Sequence, residues 1–556
     1  METKDLVEIV EDEVKSKREF IYNDVSVIKV VLQKISSNKE KVQMIDATSG
    51  KHWSAKQMHD SIVTLALQLM EIGIKKGDCV AFYAPNSDIH AIMLLAVWSI
   101  GAIYSGCMHT NPYREIYNVV VDSGSKFLIS CKQNIETCAL LMQEVQTLKK
   151  VFLIDSEVDD RGFISVPKLL QNNTNVKGER MIDELLSKST LDDLIKINFS
   201  SGTTGRPKAT SLRNRNLLAV LAIASEGFEI VTPNDTVAIN SHFGHAGGTL
   251  MLAAALLQGS KIIVFANFDP SAYISWVEKY DITCAMFVPS LINLLCKAVS
   301  HPYKNFSLKK VLITGEVLSS LIADDFISKF NPSYFGQTFG STEMGFSLVK
   351  PISEGITNVS TVGIPAIGFK AKIIEMGSER KLKANKIGEI RVKGPQLTLG
   401  YLNNEKANKE SFDEEGFFKT GDLGYYSDDG HFYFTDRLLN FYIFSLKEKF
   451  SNRFKEIIKY NSLQVSPSEL EGILFEHEAV KEAAVIGIPD SNWGQLPKAF
   501  VVLKEQKKDS VTENELIEFV SKKVAEYKRL RGGVVFLPQL PKSILGKIDK
   551  KALKLA

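Results

Sequence analysis

Short apolar runs separated by polar, helix-patterned stretches recur along the first half of the chain. CVAFYAP (79–85), GAIYSGC (101–107), KFLISC (126–131), KVFLI (150–154), KIIVFA (261–266) and KKVLITG (309–315) each read as a strand. Strands alternating with helices in this way predict an α/β fold built in layers. After Gly363 the texture changes. AKIIE (371–375), GEIRVKG (388–394) and HFYFTD (431–436) are short, turn-bounded strands of a β-rich subdomain. From Ser466 it changes again: SPSELEGILFEH opens on a serine cap with proline in the first turn. Strand-like AAVIGIP (483–489) and KAFVVLK (498–504) follow, then a helical pattern over 513–527, completing a small α+β unit. The expected division is a large N-terminal domain over 1–436, a hinge over 437–455 and a small C-terminal domain over 456–556.

Ile89 to Cys107 is apolar enough to raise the membrane question. Ser99, Gly101 and Ser105 interrupt it, and a buried core helix running into a short strand is the expectation; no transmembrane segment is predicted. At 556 residues the chain needs more than one core, and its 44% apolar and 24% charged residues are those of an ordinary globular protein. A net charge of +2 gives no reason to expect nucleic acid as a partner. Six cysteines with no C-x-x-C pair suggest reduced thiols and an intracellular, cytoplasmic setting. The end KALKLA is not a peroxisomal SKL-type signal.

The chemistry is most concentrated in IKINFSSGTTGRPKAT (195–210). Ser200, Ser201, Thr203 and Thr204 offer hydroxyls, Gly202 and Gly205 let backbone N–H groups converge on an anion, and Lys208 adds a mobile positive charge. The spacing is not that of a Walker A loop, and a Ser/Gly/Thr linker is the competing reading. Three more islands follow. GQTFGSTEMG (336–345) carries Phe339 for stacking, Thr342 for phosphate and Glu343 for a hard cation such as Mg²⁺. A Thr-Gly turn sets Asp422 where a carboxylate can take both hydroxyls of a ribose. LPKSILGKIDKKAL (540–553) puts Lys547 on a glycine turn. Singly these read as a turn cap, a solvated carboxylate and a surface lysine; the ordered set is harder to dismiss.

That set, SSGTTGRPK, FGSTE, GEIRVKG, TGD, KY..LQVSPSELE and PKSILGK, resembles the adenylate-forming superfamily. Acyl-CoA synthetases, 4-coumarate–CoA ligases and firefly-type luciferases belong to it. The resemblance implies a two-step ligation: a carboxylic acid attacks the α-phosphate of ATP, and coenzyme A then displaces AMP. It implies that the 200–208 loop clamps phosphates, Glu343 ligates Mg²⁺, Thr342 meets the α-phosphate, and Phe339 stacks adenine beside Gly315, Glu316, Gln337 and Gly340. Asp422 would hold the ribose, Lys547 would reach the first transition state, and His245 would guard the carboxylate entrance. Lys459 and Gln464 match positions facing the site in one or other arrangement of a rotating small domain. The fatty or aromatic acid is the implied small-molecule partner, its pocket shaped around His242–Thr249, Ser290 and Gly315. A luciferase-like oxygenase, an acyl-AMP ligase and a silent binding homologue keep the same motifs.

Two departures stand out. Segment 438–453 interrupts the hinge, leaving Arg437 and Arg453 as rival ribose-contacting arginines; it reads as a retained intron or as a real loop that slows the thioester step. Ser462 replaces a glycine beside the thiol's route, which adds bulk and restricts φ.

Overall fold

The computed structural model describes all residues except 1, 23–24, 38, 158–160, 172–175, 201–207, 304, 319, 438–457, 462, 508–509, 542–549 and 555–556. At 176–178, 200, 436–437, 464, 468 and 551–552 it describes the backbone alone.

The apolar runs form the strands expected of them. Cys79–Tyr83, Ile103–Gly106, Phe127–Ser130 and Lys150–Leu153 pair in parallel in a seven-stranded sheet, closed at one edge by Leu194–Ser200 and antiparallel Lys208–Arg213. A nine-stranded sheet runs parallel through Tyr334–Ser341, Lys310–Ile313, Cys284–Phe287, Thr236–Ala238, Lys261–Val264 and Val42–Asp46, with antiparallel strands at both edges. Each residue of Cys79–Tyr83 is buried, as a strand covered on both faces requires, and each large apolar side chain there contributes about 1.5–3 kcal/mol.

The β-rich subdomain is a six-stranded antiparallel sheet in which the N-terminal hairpin of Val7–Val10 and Glu13–Ser16 joins through its second strand, which pairs onto Lys370–Ile374. The fourth sheet is built from residues 458–536 alone. Helices Pro467–Phe475 and Glu513–Ser521 cover one of its faces, while Leu540 and Leu553 pack in a separate cluster with Ala484, Ile486 and Phe500. The second helix ends before the 527 that its pattern suggested, and a single turn at Glu526–Lys528 carries Lys528 into the interior.

The long apolar stretch resolves as a helix, Asp88–Ser99, followed by strand Ile103–Gly106. Ser87 caps it by accepting from the His90 N–H at 3.1 Å, and every residue but Ile89 is buried. It is about 18 Å long, well short of a bilayer core. Among the described residues no helix is long and apolar enough to cross a membrane. All six cysteines are unpaired and buried.

Candidate active site

Ligands of open α/β sheets bind beyond the carboxyl ends of parallel strands. Here those ends, in both large sheets, carry the candidate segments and are stitched together. After Cys79–Tyr83, Asn86 donates to the Ser241 carbonyl at 3.0 Å and accepts from the Phe243 N–H at 2.9 Å. His242 donates through Nε2 to the Ala84 carbonyl and accepts at Nδ1 from the Gly244 N–H, both at 2.9 Å, which fixes its tautomer.

Strand Leu194–Ser200 turns back as Lys208–Arg213 with Ser200 opposite Lys208, so the two ends of the hydroxyl-rich loop are held side by side. Ser201, Gly202, Thr203, Thr204 and Gly205 lie outside the described residues. Lys208 opens a strand rather than a helix, and its amine sits 4.7 Å above the Tyr401 ring, within cation–π range. The Tyr401 hydroxyl donates to Glu343 Oε1 at 3.0 Å, and Ser341 Oγ donates to Glu343 Oε2 at 2.9 Å. One chain of contacts thus joins the loop lysine to the Glu343 carboxylate. Glu343 is only 8% exposed, and burial pushes the Tyr401 phenol up, the Glu343 charge adding to the effect. Each Glu343 oxygen has accepted one of the two hydrogen bonds its lone pairs allow, so its donor set fits an oxygen-seeking Mg²⁺. Half-buried Thr342 occupies the turn next to it.

Gln337, Phe339 and Gly340 lie in strand Tyr334–Ser341, not in a loop. Phe339 is buried, and the pairing with Gly345–Val349 slips by one residue between Phe339 and Gly340. A Cβ on Gly340 would collide with the Gly345 carbonyl, so only glycine fits this slip. Gly340→Ala is expected to destabilise by about 1–3 kcal/mol, seen as a lower urea midpoint; an unchanged midpoint would discard the argument. Gln337 is committed at both ends, accepting from the Leu318 N–H at 2.9 Å and donating to the Val359 carbonyl at 2.6 Å. It braces the segment after strand Lys310–Ile313 that carries Gly315 and Glu316. The Gly494 turn passes close to Glu316, whose Oε2 is 3.9 Å from where a Gly494 Cβ would stand.

Asp422 lies in strand Phe418–Tyr426, 6% exposed, directly opposite Arg437 in the ladder. The preceding turn is fixed from below. Gly421 has φ +69°, where glycine is favoured, and its N–H donates to Glu389 Oε1 at 3.2 Å. Arg391 Nε donates to Glu389 Oε2 at 2.9 Å. Thr420 Oγ1 donates to the Ile390 carbonyl and accepts from the Asp422 N–H at 3.1 Å. Glu389 and Arg391 are the paired charges of GEIRVKG, facing the same way two residues apart.

His245 precedes helix Ala246–Gln258, with no cap bond from its side chain, and belongs to a cluster of four imidazoles. The ring of His242 lies 5.9 Å from His90, 6.0 Å from His109 and 6.4 Å from His245. Lys196, fully buried, donates to the carbonyls of Phe243 at 3.0 Å and His245 at 3.4 Å, and to the Thr249 hydroxyl. Burial pulls His90 and His245 down to about 4, with Lys196 repelling both; it also lowers His109, His242 and Lys196 itself. Nδ1 of His109 and Nε2 of His245 are buried and carry no hydrogen bond.

In the C-terminal unit, Lys459 and Gln464 are cross-strand partners in the hairpin Ile458–Tyr460 and Leu463–Val465. Ser290 donates to Asn461 at the tip of that hairpin. Arg453, Ser462, Lys547 and segment 438–453 lie outside the described residues. Among those that are described, His59, Asp60 and Glu179 bring three metal-type donors within 4.8 Å, but Lys56 already pairs with Asp60 at 2.5 Å and the trio reads as a solvated charge cluster. Tyr401, Ser341, Glu389, His90, His109 and Lys196 escaped the sequence reading. Lys196 alone carried a usable signal, a lone charge inside an apolar strand, which must find partners if buried.

Two α/β layers meeting at strand ends, with Lys208 and the buried Glu343 carboxylate joined through Tyr401, fit an enzyme of the nucleotide-using α/β type. The family model for AMP-binding enzymes matches residues 32–402, and that for the AMP-binding enzyme C-terminal domain matches 469–547. A probable CoA ligase of Humulus lupulus is 32% identical over 523 residues, 92% of this chain and 90% of its own. A luciferin 4-monooxygenase of Nipponoluciola cruciata is 29% identical over 517 residues, 92% and 91% of the two chains. The solved long-chain-fatty-acid–CoA ligase of Archaeoglobus fulgidus shares the fold, with a TM-score of 0.75 over 94% of this chain and 98% of its own at 23% identity. The chain belongs to the AMP-binding, adenylate-forming enzyme family.

Proposed function

We propose that this protein is an ATP-dependent carboxylate–CoA ligase. In the first step a carboxylate oxygen of a fatty or aromatic acid attacks the α-phosphorus of ATP, and pyrophosphate leaves. In the second, the coenzyme A thiol attacks the acyl carbon, AMP leaves with the bonding pair, and the thiol proton passes to solvent. Such chemistry asks the protein to position groups and to neutralise developing charge. The observation that carries the reading is the Lys208–Tyr401–Glu343 chain, which gathers a cation and a buried carboxylate about one phenol, a pairing suited to a polyphosphate and its metal.

The loop 200–205 and Lys208 hold the β- and γ-phosphates, and Thr342 the α-phosphate. Glu343 holds Mg²⁺, which when bound supplies neutralisation of phosphate charge. Phe339 stacks adenine, flanked by Gly315, Glu316 and Gly340, with Gln337 bracing that wall. Asp422 takes the ribose hydroxyls, joined by Arg437, its partner in the ladder, or by Arg453. His245 lines the acid's entrance. Lys547 serves the first step, while Lys459 and Gln464 serve whichever arrangement brings their hairpin to the site. The domains divide at 1–436, 437–455 and 456–556, and the six unpaired buried thiols suit an intracellular, cytoplasmic setting.

Pyrophosphate release from ATP with a panel of carboxylic acids, with and without coenzyme A, tests this. Acid-dependent release with acyl-CoA formed is expected; acid-dependent release that stops at the bound adenylate would replace the ligase with an acyl-AMP-forming enzyme. Tyr401→Phe is expected to slow the first step about tenfold by freeing Glu343 from its phenol. A rate within twofold of the parent would remove Tyr401 from the machinery.

A further inference from the structure

The C-terminal unit meets the rest of the chain along two seams. In one, helix Pro289–Ala298 presents Ser290 to Asn461, Asn293 to the Ser491 carbonyl at 3.0 Å, and Lys297 to Asn492. The other seam is electrostatic. Arg114 and Glu115, neighbours at the start of helix Tyr113–Asp122, each face a charge of opposite sign. Arg114 Nη1 donates to Glu476 at 3.1 Å, and the other Glu476 oxygen takes Lys523 at 2.8 Å. Glu115 Oε1 accepts from Lys528 Nζ at 2.7 Å and from the Ala525 N–H at 3.2 Å.

These two pairs differ in worth. Arg114 and Glu476 are about half exposed, and such pairs contribute little. Lys528 is 3% exposed and Glu115 15%, so their contact is shielded from water and depends strongly on geometry. Lys528 has a second partner within its own unit, Glu469 Oε1 at 3.0 Å. If the units part, the amine keeps one carboxylate and no buried charge is stranded. A bond so arranged can open and close.

We propose that Glu115 is a positioning residue: its bond to Lys528 clasps the C-terminal unit in the orientation seen here, with hairpin 458–465 against Ser290, and thereby sets the balance between the two half-reactions. The kinetic half of this rests on the two-step reading given above. Loss of the clasp leaves each half-site's groups intact and changes only how long the hairpin stays beside Ser290.

The test uses the full chain with Glu115→Gln, Lys528→Met, the double variant and Lys528→Arg. Two quantities are read: small-angle scattering without substrates, and the ratio of acid-dependent pyrophosphate exchange to acyl-CoA formation. The clasp predicts a wider scattering profile for both single variants and a ratio shifted about tenfold in the same direction. The double variant should go no further than the larger single effect, and Lys528→Arg should return the ratio to within about twofold. Additive single effects, opposite directions, or a ratio unchanged while only the melting temperature falls would overturn it. If the parent shows no acid-dependent pyrophosphate release, the ligase reading fails, and scattering of Glu115→Gln against the parent still decides the clasp.

Discussion

Replacing Glu343 with glutamine is expected to lower acid-dependent pyrophosphate release by about a thousandfold while leaving the fold intact. The carboxylate sits at the turn after strand Tyr334–Ser341 and accepts from Tyr401 and Ser341, one donor on each oxygen. Glutamine keeps the shape, removes the negative charge, and turns an amide N–H₂ toward a hydroxyl that was donating. Either hydroxyl can rotate to accept instead, so the structural penalty is small, on the order of 1 kcal/mol. In the proposed role of Glu343, the loss falls on the cation and on the phosphate charge it would neutralise. Release rates with saturating acid and ATP, set beside a urea melt, separate the two effects. A residual rate within tenfold of the parent would take Glu343 out of the first step.

Stability is expected to fall between pH 6.5 and pH 5, before most carboxylates titrate. His90 and His245 take their protons near 6.5 in the unfolded chain and at about 4 in the folded one. Between those values the unfolded state binds more protons, so stability declines as the pH falls through the window. Each imidazole would cost about 3 kcal/mol of stability by pH 4, and that loss is absent above about pH 7. His109 and His242 are lowered by burial as well and act in the same sense. His431 acts in the opposite one. Against the pull of burial, Glu354 at 2.5 Å and Asp429 at 3.0 Å raise it. Its stabilisation is therefore present below pH 6.5 and lost as the pH rises through its folded value. Urea midpoints from pH 7.5 to 5 measure the sum, and His90→Phe should flatten the slope. A midpoint independent of pH across that range would contradict the buried, neutral cluster.

The sheets were legible because each central strand is a local apolar run, and burial on both faces leaves the same mark wherever the strand sits. The helix Asp88–Ser99 was legible for the same reason. The hairpin Val7–Val10 and Glu13–Ser16 was not, since the strand at 370–374 that joins it to the sheet through Glu13–Ser16 lies far along the chain. The islands around Phe339 and Asp422 read as turns because the ladder slips at Gly340 and around Gly421, and a slip inside a strand looks locally like a turn. Tyr401 and Glu343 are 58 residues apart, and Lys196 and Thr249 are 53 apart. No periodicity spans such distances. The motif residues could be named in advance; the side chains that hold them could not.

The six cysteines have a practical corollary. Burial raises every one of their thiols, Cys138 to about 11 and Cys131 and Cys296 to about 12. At neutral pH almost none is ionised, and aromatic disulfide reagents attack thiolates. In a mixture of this protein with coenzyme A, the colour such a reagent develops would come from coenzyme A. The coenzyme A consumption that the proposed ligation requires can therefore be tested directly on the folded protein, with no alkylated or cysteine-free variant needed as a blank.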